Sequence, residues 1–319
     1  MEQSFLAYLR GRCRSLPQVA VGIGDDAAVI DGPGVAASQQ LPGQQLPGQQ
    51  LIVCTDQIID GVDFISAEHS LADVGYKSVA INLSDIAAMG AVPTSALVTL
   101  ALPTENATRI AGEVYEGIFE AAQEFQIAIA GGDLSTYDGP LSISVTLLGN
   151  VPTGTAWLRS GAKEGDAIMV SGFVGGSLRG RHLRPQPRVE LAAKLRQLVD
   201  VHAAIDISDG LSLDLDRLCA SSHMGAELTV ETIPIHDDAI ILAEESGRTP
   251  WEHAWSDGED FELIFAVSQP DADKLLGVDL ASNLGVQLTQ IGNMVGRTGL
   301  WKRKPSGTFT RLSPQGYLH

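Results

Sequence analysis

Basic residues are scarce in this chain. Twenty-one Lys and Arg stand against 39 Asp and Glu over 319 residues, a formal net charge of −18. A surface of that sign repels phosphate backbones and anionic lipid, so it excludes a nonspecific grip on nucleic acid or on a charged membrane and favours bound cations or basic partners. Cysteine is scarcer still: only Cys13, Cys54 and Cys219 occur, without a CxxC. Neither a disulfide framework nor a thiolate zinc site is supported, and a cytoplasmic location is expected. No apolar run approaches the roughly 18 residues of a membrane span. The opening segment sets Phe5, Leu6 and Leu9 at helical spacing among Glu2 and three arginines, and it lacks the apolar centre of a signal peptide. It reads as an amphipathic first helix. Also missing are GxxxxGK[ST], an HRD followed by DFG, and HExxH, and the glycines at 172–176 in GFVGGS do not match a dinucleotide fingerprint. The seven histidines are scattered, with core or surface roles expected and no motif for Ser-His-Asp catalysis.

Hydrophobic residues make up 44% of the chain and charged residues 19%, which fills a packed core. The length predicts two domains, 1–150 and 151–319, with the boundary where Gly, Pro and Thr gather at 149–165. In the first, strands are predicted at 19–30 and 51–55, separated by a QQLPG unit given nearly twice, which reads as a tolerated loop insertion. A helix follows from Ser70 to Met89, with Ser70 and Asp73 placed like a capping box. Then come a strand at 95–102, a helix over 104–125, a short strand at 127–130, a turn at Gly131 and Gly132, and a strand in LSISVTLLG. In the second domain, helices are predicted at 188–199, 209–222, 237–246 and 270–284, the last opened by Ser268 with Pro270. Strands are predicted at 167–172, 203–207, 226–230, 261–267 and 287–292. The alternation predicts α/β or α+β architecture in both domains.

Seven aspartates draw attention by position. Asp25 and Asp26 follow VAVGIG, Asp56 follows LIVCT, Asp133 follows IAIAGG, and Asp206 and Asp209 bracket the end of AIDIS. Asp85 ends a helix. Ligands in α/β proteins collect beyond strand ends, so these carboxylates are candidates for one crevice, where hard oxygens select Mg²⁺ or Ca²⁺. Each alone is also a good turn or cap residue. Glycines beside several of them permit close backbone approach, which suits phosphate oxygens.

Taken together, GIGDDAAVI (22–30), CTD (54–56), YKSVAINLSDIAAMGAVP (76–93), GGDLS (131–135), LRSGAKEGD (158–166), HLRPQPR (182–188), IDISDGL (205–211) and GEDFEL (258–263) resemble bacterial thiamine-monophosphate kinases, in family order over nearly the whole chain. The resemblance implies Mg²⁺-dependent transfer of the ATP γ-phosphoryl group to thiamine monophosphate, giving thiamine diphosphate. It implies the two-domain fold of aminoimidazole ribonucleotide synthetase, with an N-terminal dimerising domain and a C-terminal α/β domain, and a homodimer. By the same resemblance Asp26, Thr55, Asp56, Asp85, Asp133, Asp206 and Asp209 match metal positions. Tyr115, Gly132, Arg159 and Ser208 match ATP positions, and Glu259 a thiamine contact. The physics agrees: donor and acceptor are both polyanions, so cations rather than a protein nucleophile carry the reaction.

The chain departs from the family at four places. Asp63 replaces a substrate-contacting histidine, Asp257 a glycine, and Pro314 a covering aromatic, with Tyr317 the nearest ring. Asp63 and Tyr317 therefore become substrate candidates, and Asp63 and Asp257 add negative charge there. Only LRG separates GFVGGS from HLRPQPR, too short for the helix usual in the family. These departures keep two alternatives open, a related kinase with another phosphate-bearing acceptor and a non-catalytic nucleotide sensor.

Overall fold

The computed structural model describes residues 8–9, 11, 17–31, 48–303 and 307–317. The QQLPG repeat and most of the first helix lie outside them. The chain divides into two units, Met1–Ile86 with Ala91–Ala156, and Ala87–Gly90 with Trp157–His319.

The first unit is a six-stranded sheet of β1 (Val19–Val21), β2 (Ala28–Asp31), β3 (Gln49–Ile59), β4 (Val92–Pro103), β5 (Ala128–Tyr137) and β6 (Ser142–Pro152), in the order β1-β2-β3-β6-β4-β5. Two helices cover one face, α1 (Leu71–Ala88) and α2 (Ala107–Glu124). Helix α1 forms where the apolar spacing asks for it: Val74, Val79, Leu83 and Ile86 are fully buried. Ser70 Oγ accepts the Asp73 N–H at 3.4 Å at its start. The two helices touch backbone to backbone. A Cβ on Gly117 would stand 1.7 Å from the Ala72 carbonyl oxygen, and one on Gly75 2.0 Å from that of Val114, so only glycine permits this crossing.

The predicted turn at Gly131 and Gly132 is not there. Strand β5 runs through both, parallel to β4, with Gly132 opposite Val98 and Asp133 opposite Thr99. A Cβ at Gly132 would meet the Val98 carbonyl oxygen at 1.7 Å, so this glycine serves strand approach rather than a turn.

The second unit is a seven-stranded sheet: β7 (Ala167–Ser171), β8 (Val201–Asp206), β9 (Gly225–Leu228), β10 (Leu263–Val267), β11 (Leu288–Val295), β12 (Gly299–Arg303) and β13 (Phe309–Leu312), ordered β13-β12-β9-β11-β7-β10-β8. Its helices are α3 (Val189–Leu198), α4 (Leu211–Ser221), α5 (Asp237–Ser246), α6 (Pro250–Ser256), α7 (Gln269–Leu276) and α8 (Leu280–Leu284). Strands β7 and β10 are buried on both faces, which is why AIMVS and LIFAV are continuous apolar runs. Ile168, Val170, Ile264 and Ala266 feed one core with Leu215 and Trp255. Met169, Phe265 and Val267 feed the other with Leu191 and Leu275. The single helix predicted over 270–284 is broken into α7 and α8 at Gly277, where the chain turns before Asp279 caps the second piece. Helix α6 and strands β12 and β13 escaped the periodicity because each is short.

Candidate functional site

In the first unit, strand alternation sorts the candidates onto two faces. Cys54, Asp56, Val145 and Val98 belong to the helix-covered face; Thr55, Thr146, Leu97 and Asp133 belong to the open one. Asp56 and Asp133 lie within β3 and β5 rather than after strands, so the expected crevice at the strand ends does not account for them. Asp56 and Gly132 share a row three strand spacings apart, roughly 14 Å along the sheet.

What the fold does bring together is Asp26 and Asp85, whose carboxylate oxygens approach within 4.8 Å. Asp26 sits in the loop between β1 and β2, and Asp85 on the last turn of α1. The buried Cys54 thiol lies beside this group: desolvation pushes its ionisation well up, and the Asp85 and Asp56 carboxylates push it further. Cys54 is therefore a neutral Sγ–H, donating weakly towards the Asn82 carbonyl at 3.5 Å. Thr55 Oγ1 is engaged across the strands, with the Val145 carbonyl at 3.1 Å and Thr146 Oγ1 at 3.0 Å. Tyr115 is half-buried on α2, and burial raises its phenol.

Asp63 closes its own turn. Its Oδ2 accepts the Ile59 N–H at 2.7 Å, and its carbonyl accepts Lys77 Nζ at 3.1 Å. The structure thus gives this carboxylate the turn-capping role, which lowers its weight as a substrate group.

In the second unit, Asp206 ends β8, buried opposite Leu263, and the chain then turns into α4. That turn is organised by Asp214, a residue the motif reading missed. Its Oδ2 accepts three successive N–H groups, from Ser208 at 3.1 Å, Asp209 at 2.9 Å and Gly210 at 3.1 Å. The cradle at the start of α4 is thus already filled by an internal carboxylate. Burial and the Asp209 charge raise Asp214 to about 7 against the pull of Arg217 and Arg159. Arg217 bridges Asp214 at 2.7 Å and Asp209 at 2.5 Å. The only signal in sequence was an acid in the first turn of the helix after SDG.

The GEDFEL segment packs on this turn. The Glu259 N–H donates to the Ser208 carbonyl at 2.7 Å and the Phe261 N–H to that of Ile207 at 2.8 Å, with both residues at positive φ, 61° and 52°. Such strain costs about 1–3 kcal/mol each and is held by the surrounding contacts. Between them Asp260 is buried, accepting the Gly175 N–H at 2.8 Å and Arg181 Nη2 at 3.3 Å, and Glu262 is clamped by both arms of Arg188. The C-terminal segment crosses the same turn: Ser212 Oγ donates to the Gln315 carbonyl at 2.6 Å, and the Tyr317 N–H to that of Asp209 at 2.9 Å. Tyr317 is thereby placed beside Asp209, while Pro314 stays exposed.

Two departures lose their force. Asp257 is buried, paired with Arg248 at 3.1 Å and hydrogen-bonded to His253 Nδ1 at 2.7 Å, so it does not add charge to an open site. In the short segment after GFVGGS, two single 3₁₀ turns, Ser177–Arg179 and Arg181–Leu183, replace a helix, pinned by Arg181 to Asp238 at 3.0 Å and to Asp260.

The chain matches the family model described as AIR synthase related protein, N-terminal domain, over residues 24–151, and that for the C-terminal domain over 153–301. It is 67% identical over 319 residues to the thiamine-monophosphate kinase of Rhodopirellula baltica, covering all of this chain and 97% of the other. It is 35% identical to that of Escherichia coli K12, covering 92% and 90%. Among solved structures, "AaThiL complexed with AMPPCP and TMP" superposes with a TM-score of 0.81 at 25% identity, covering 99% and 96%. The thiamine-monophosphate kinase of Stenotrophomonas maltophilia K279a gives 0.71 at 34%, covering 93% and 94%.

Proposed function

Because the chain belongs to the AIR synthase related family, and within it to the thiamine-monophosphate kinases, we propose that its carboxylates hold Mg²⁺ against the phosphates of ATP and thiamine monophosphate. The chain is an ATP-dependent kinase acting on thiamine monophosphate. The observation that carries the metal reading is the approach of Asp26 to Asp85, since like charges at that range repel and a divalent cation relieves them. The donors are hard oxygens, which fits Mg²⁺. When bound, Mg²⁺ neutralises phosphate oxygens and brings the two anions together.

The chain's own groups then bind and orient. In the first unit Asp26, Asp56 and Asp85 would hold metal; in the second Asp206 and Asp209 would do so, with Arg217 keeping the Asp209 carboxylate oriented. Thr55 and Asp133 act from the open sheet face. Arg159 supplies a planar, two-pronged donor for phosphate. Tyr115, Gly132 and Ser208 contact the nucleotide, Glu259 and Tyr317 the thiamine part. Asp63 is left to its turn. No protein nucleophile or strong base is required.

A homodimer fits the first unit. Its open face exposes Leu97 and Tyr137, and among the described residues β5, which also exposes Leu134, pairs only with β4, leaving a strand edge for a second copy. No helix of the described residues is long and apolar enough to cross a membrane, and a cytoplasmic location is part of the proposal.

The test is formation of thiamine diphosphate and ADP from thiamine monophosphate and ATP across a Mg²⁺ titration. ADP formed only with another phosphate-bearing acceptor would overturn the substrate. Asp85→Asn should cut turnover by about 100-fold or more and shrink the Mg²⁺-induced rise in Tm, while leaving the metal-free Tm equal or higher because a repulsion is gone. Full activity of that variant at low Mg²⁺ removes Asp85 from the site.

A further inference from the structure

In sequence, His253 belongs to no motif, and Asp257 stands where the resembled family has glycine. Tertiary structure joins them to a third residue. Helix α6 begins at a Thr249–Glu252 capping box and ends with Asp257 as its C-cap, so His253 and Asp257 lie four apart on one face. His253 is 2% exposed and Asp257 8%. His253 Nδ1 is 2.7 Å from Asp257 Oδ2, and its Nε2 is 2.7 Å from Oγ of Ser246, the last residue of α5.

The hydrogen-bond directions follow from the partners. An ionised carboxylate only accepts, so the imidazole proton sits on Nδ1 and Nε2 presents a lone pair. The Arg248 N–H donates to Ser246 Oγ at 3.2 Å, which leaves the hydroxyl proton directed at Nε2. Asp257 is itself fixed, by Arg248 Nη1 at 3.1 Å on Oδ1 and by the Gly176 N–H at 3.3 Å on Oδ2. A held carboxylate therefore orients a buried imidazole towards the hydroxyl of an exposed serine. With glycine at 257 the imidazole would lose that orienting group.

We propose that Ser246, His253 and Asp257 form an acyl-transfer site in the second unit, with Ser246 as an activated nucleophile towards small activated esters. Ser246 Oγ bonds to the ester carbonyl carbon as its proton passes to His253 Nε2. The C–O bond to the alcohol then breaks, and the alcohol leaves with that proton. Water, deprotonated by the same nitrogen, releases the carboxylic acid and restores the serine. The site requires neither Mg²⁺ nor ATP.

The probe is a fluorophosphonate, incubated with the full chain and followed by intact mass and peptide mapping. Its P–F bond breaks as the Oγ–P bond forms, fluoride leaves, and the proton goes to His253. Expected is one adduct, on Ser246, together with slow hydrolysis of p-nitrophenyl acetate. Asp257→Asn keeps the shape but disturbs the imidazole tautomer, and should slow labelling by about 100-fold or more. Ser246→Ala should abolish both signals and leave thiamine-monophosphate turnover unchanged. Labelling of Ser246 no faster than that of other exposed serines overturns the proposal. So does labelling that Asp257→Asn leaves undiminished at an unchanged Tm. Either result would reduce the three residues to a hydrogen-bonded clasp between α5 and α6.

Discussion

Single carboxylates in this protein divide between those held by donors of their own unit and those brought against another carboxylate. Asp63, Asp214, Asp257, Asp260 and Glu262 each satisfy backbone N–H groups or arginines of their own unit. Asp26 and Asp85 instead face one another. In sequence the two kinds are indistinguishable, because an aspartate beside glycine suits a turn and a metal equally well. Asp63 shows the difference in consequence. Removing its side chain deletes one hydrogen bond to the Ile59 N–H, so Asp63→Ala should lose about 1 kcal/mol of stability in urea unfolding. The KM for thiamine monophosphate should stay within a few-fold. A raised KM with unchanged stability would instead return Asp63 to the substrate.

At the scale of elements, two features set stability. The crossing of α1 and α2 rests on Gly75 and Gly117. Alanine gains about 1 kcal/mol of helix propensity, yet at Gly117 its methyl would occupy the Ala72 carbonyl and force the helices apart. Gly117→Ala should therefore destabilise by about 1–3 kcal/mol, read as a lower urea midpoint at unchanged slope; a gain in stability would show that the helices separate freely. The segment around Asp260 adds a pH dependence. Burial raises this carboxyl from 3.8 to about 8, outweighing the Gly175 N–H and Arg181. The native state then keeps a proton that the unfolded chain releases. The contribution is full below the unfolded value and is lost as pH rises through the folded one. The stability of the wild type relative to Asp260→Asn should fall steadily between those two values and level off above them. A flat difference across that window would mean that Asp260 is ionised in the fold.

For the whole molecule, the acidic balance and the exposed sheet face of the first unit act together. A net charge of −18 opposes self-association at long range, so a dimer must be held by close contacts whose formation is aided by screening salt. Sedimentation should give a dimer that tightens as salt rises from low ionic strength. Leu134→Glu, on the exposed strand β5, should yield monomers without lowering the Tm of the second unit. Dimers that persist in that variant would place the interface elsewhere.

Sequence by itself determined the elements and the family. Apolar spacing placed α1, α2 and α5 to within a few residues, and the ordered aspartate motifs carried the kinase assignment, because periodicity and motif order are properties of neighbours along the chain. It could not determine which side of a strand each candidate occupies once the strand was misplaced. Reading a turn at Gly131 and Gly132 ended a strand that in fact continues, and Asp133 went to a strand end instead of the open sheet face. Nor could it find Asp214 beneath the Ser208–Gly210 turn, or bring Ser246 to His253 and Asp257. Those pairings span only four to seven residues, but periodicity carries no sign of how a turn or helix end folds back, and only packing decides which carboxylate is buried against which donor.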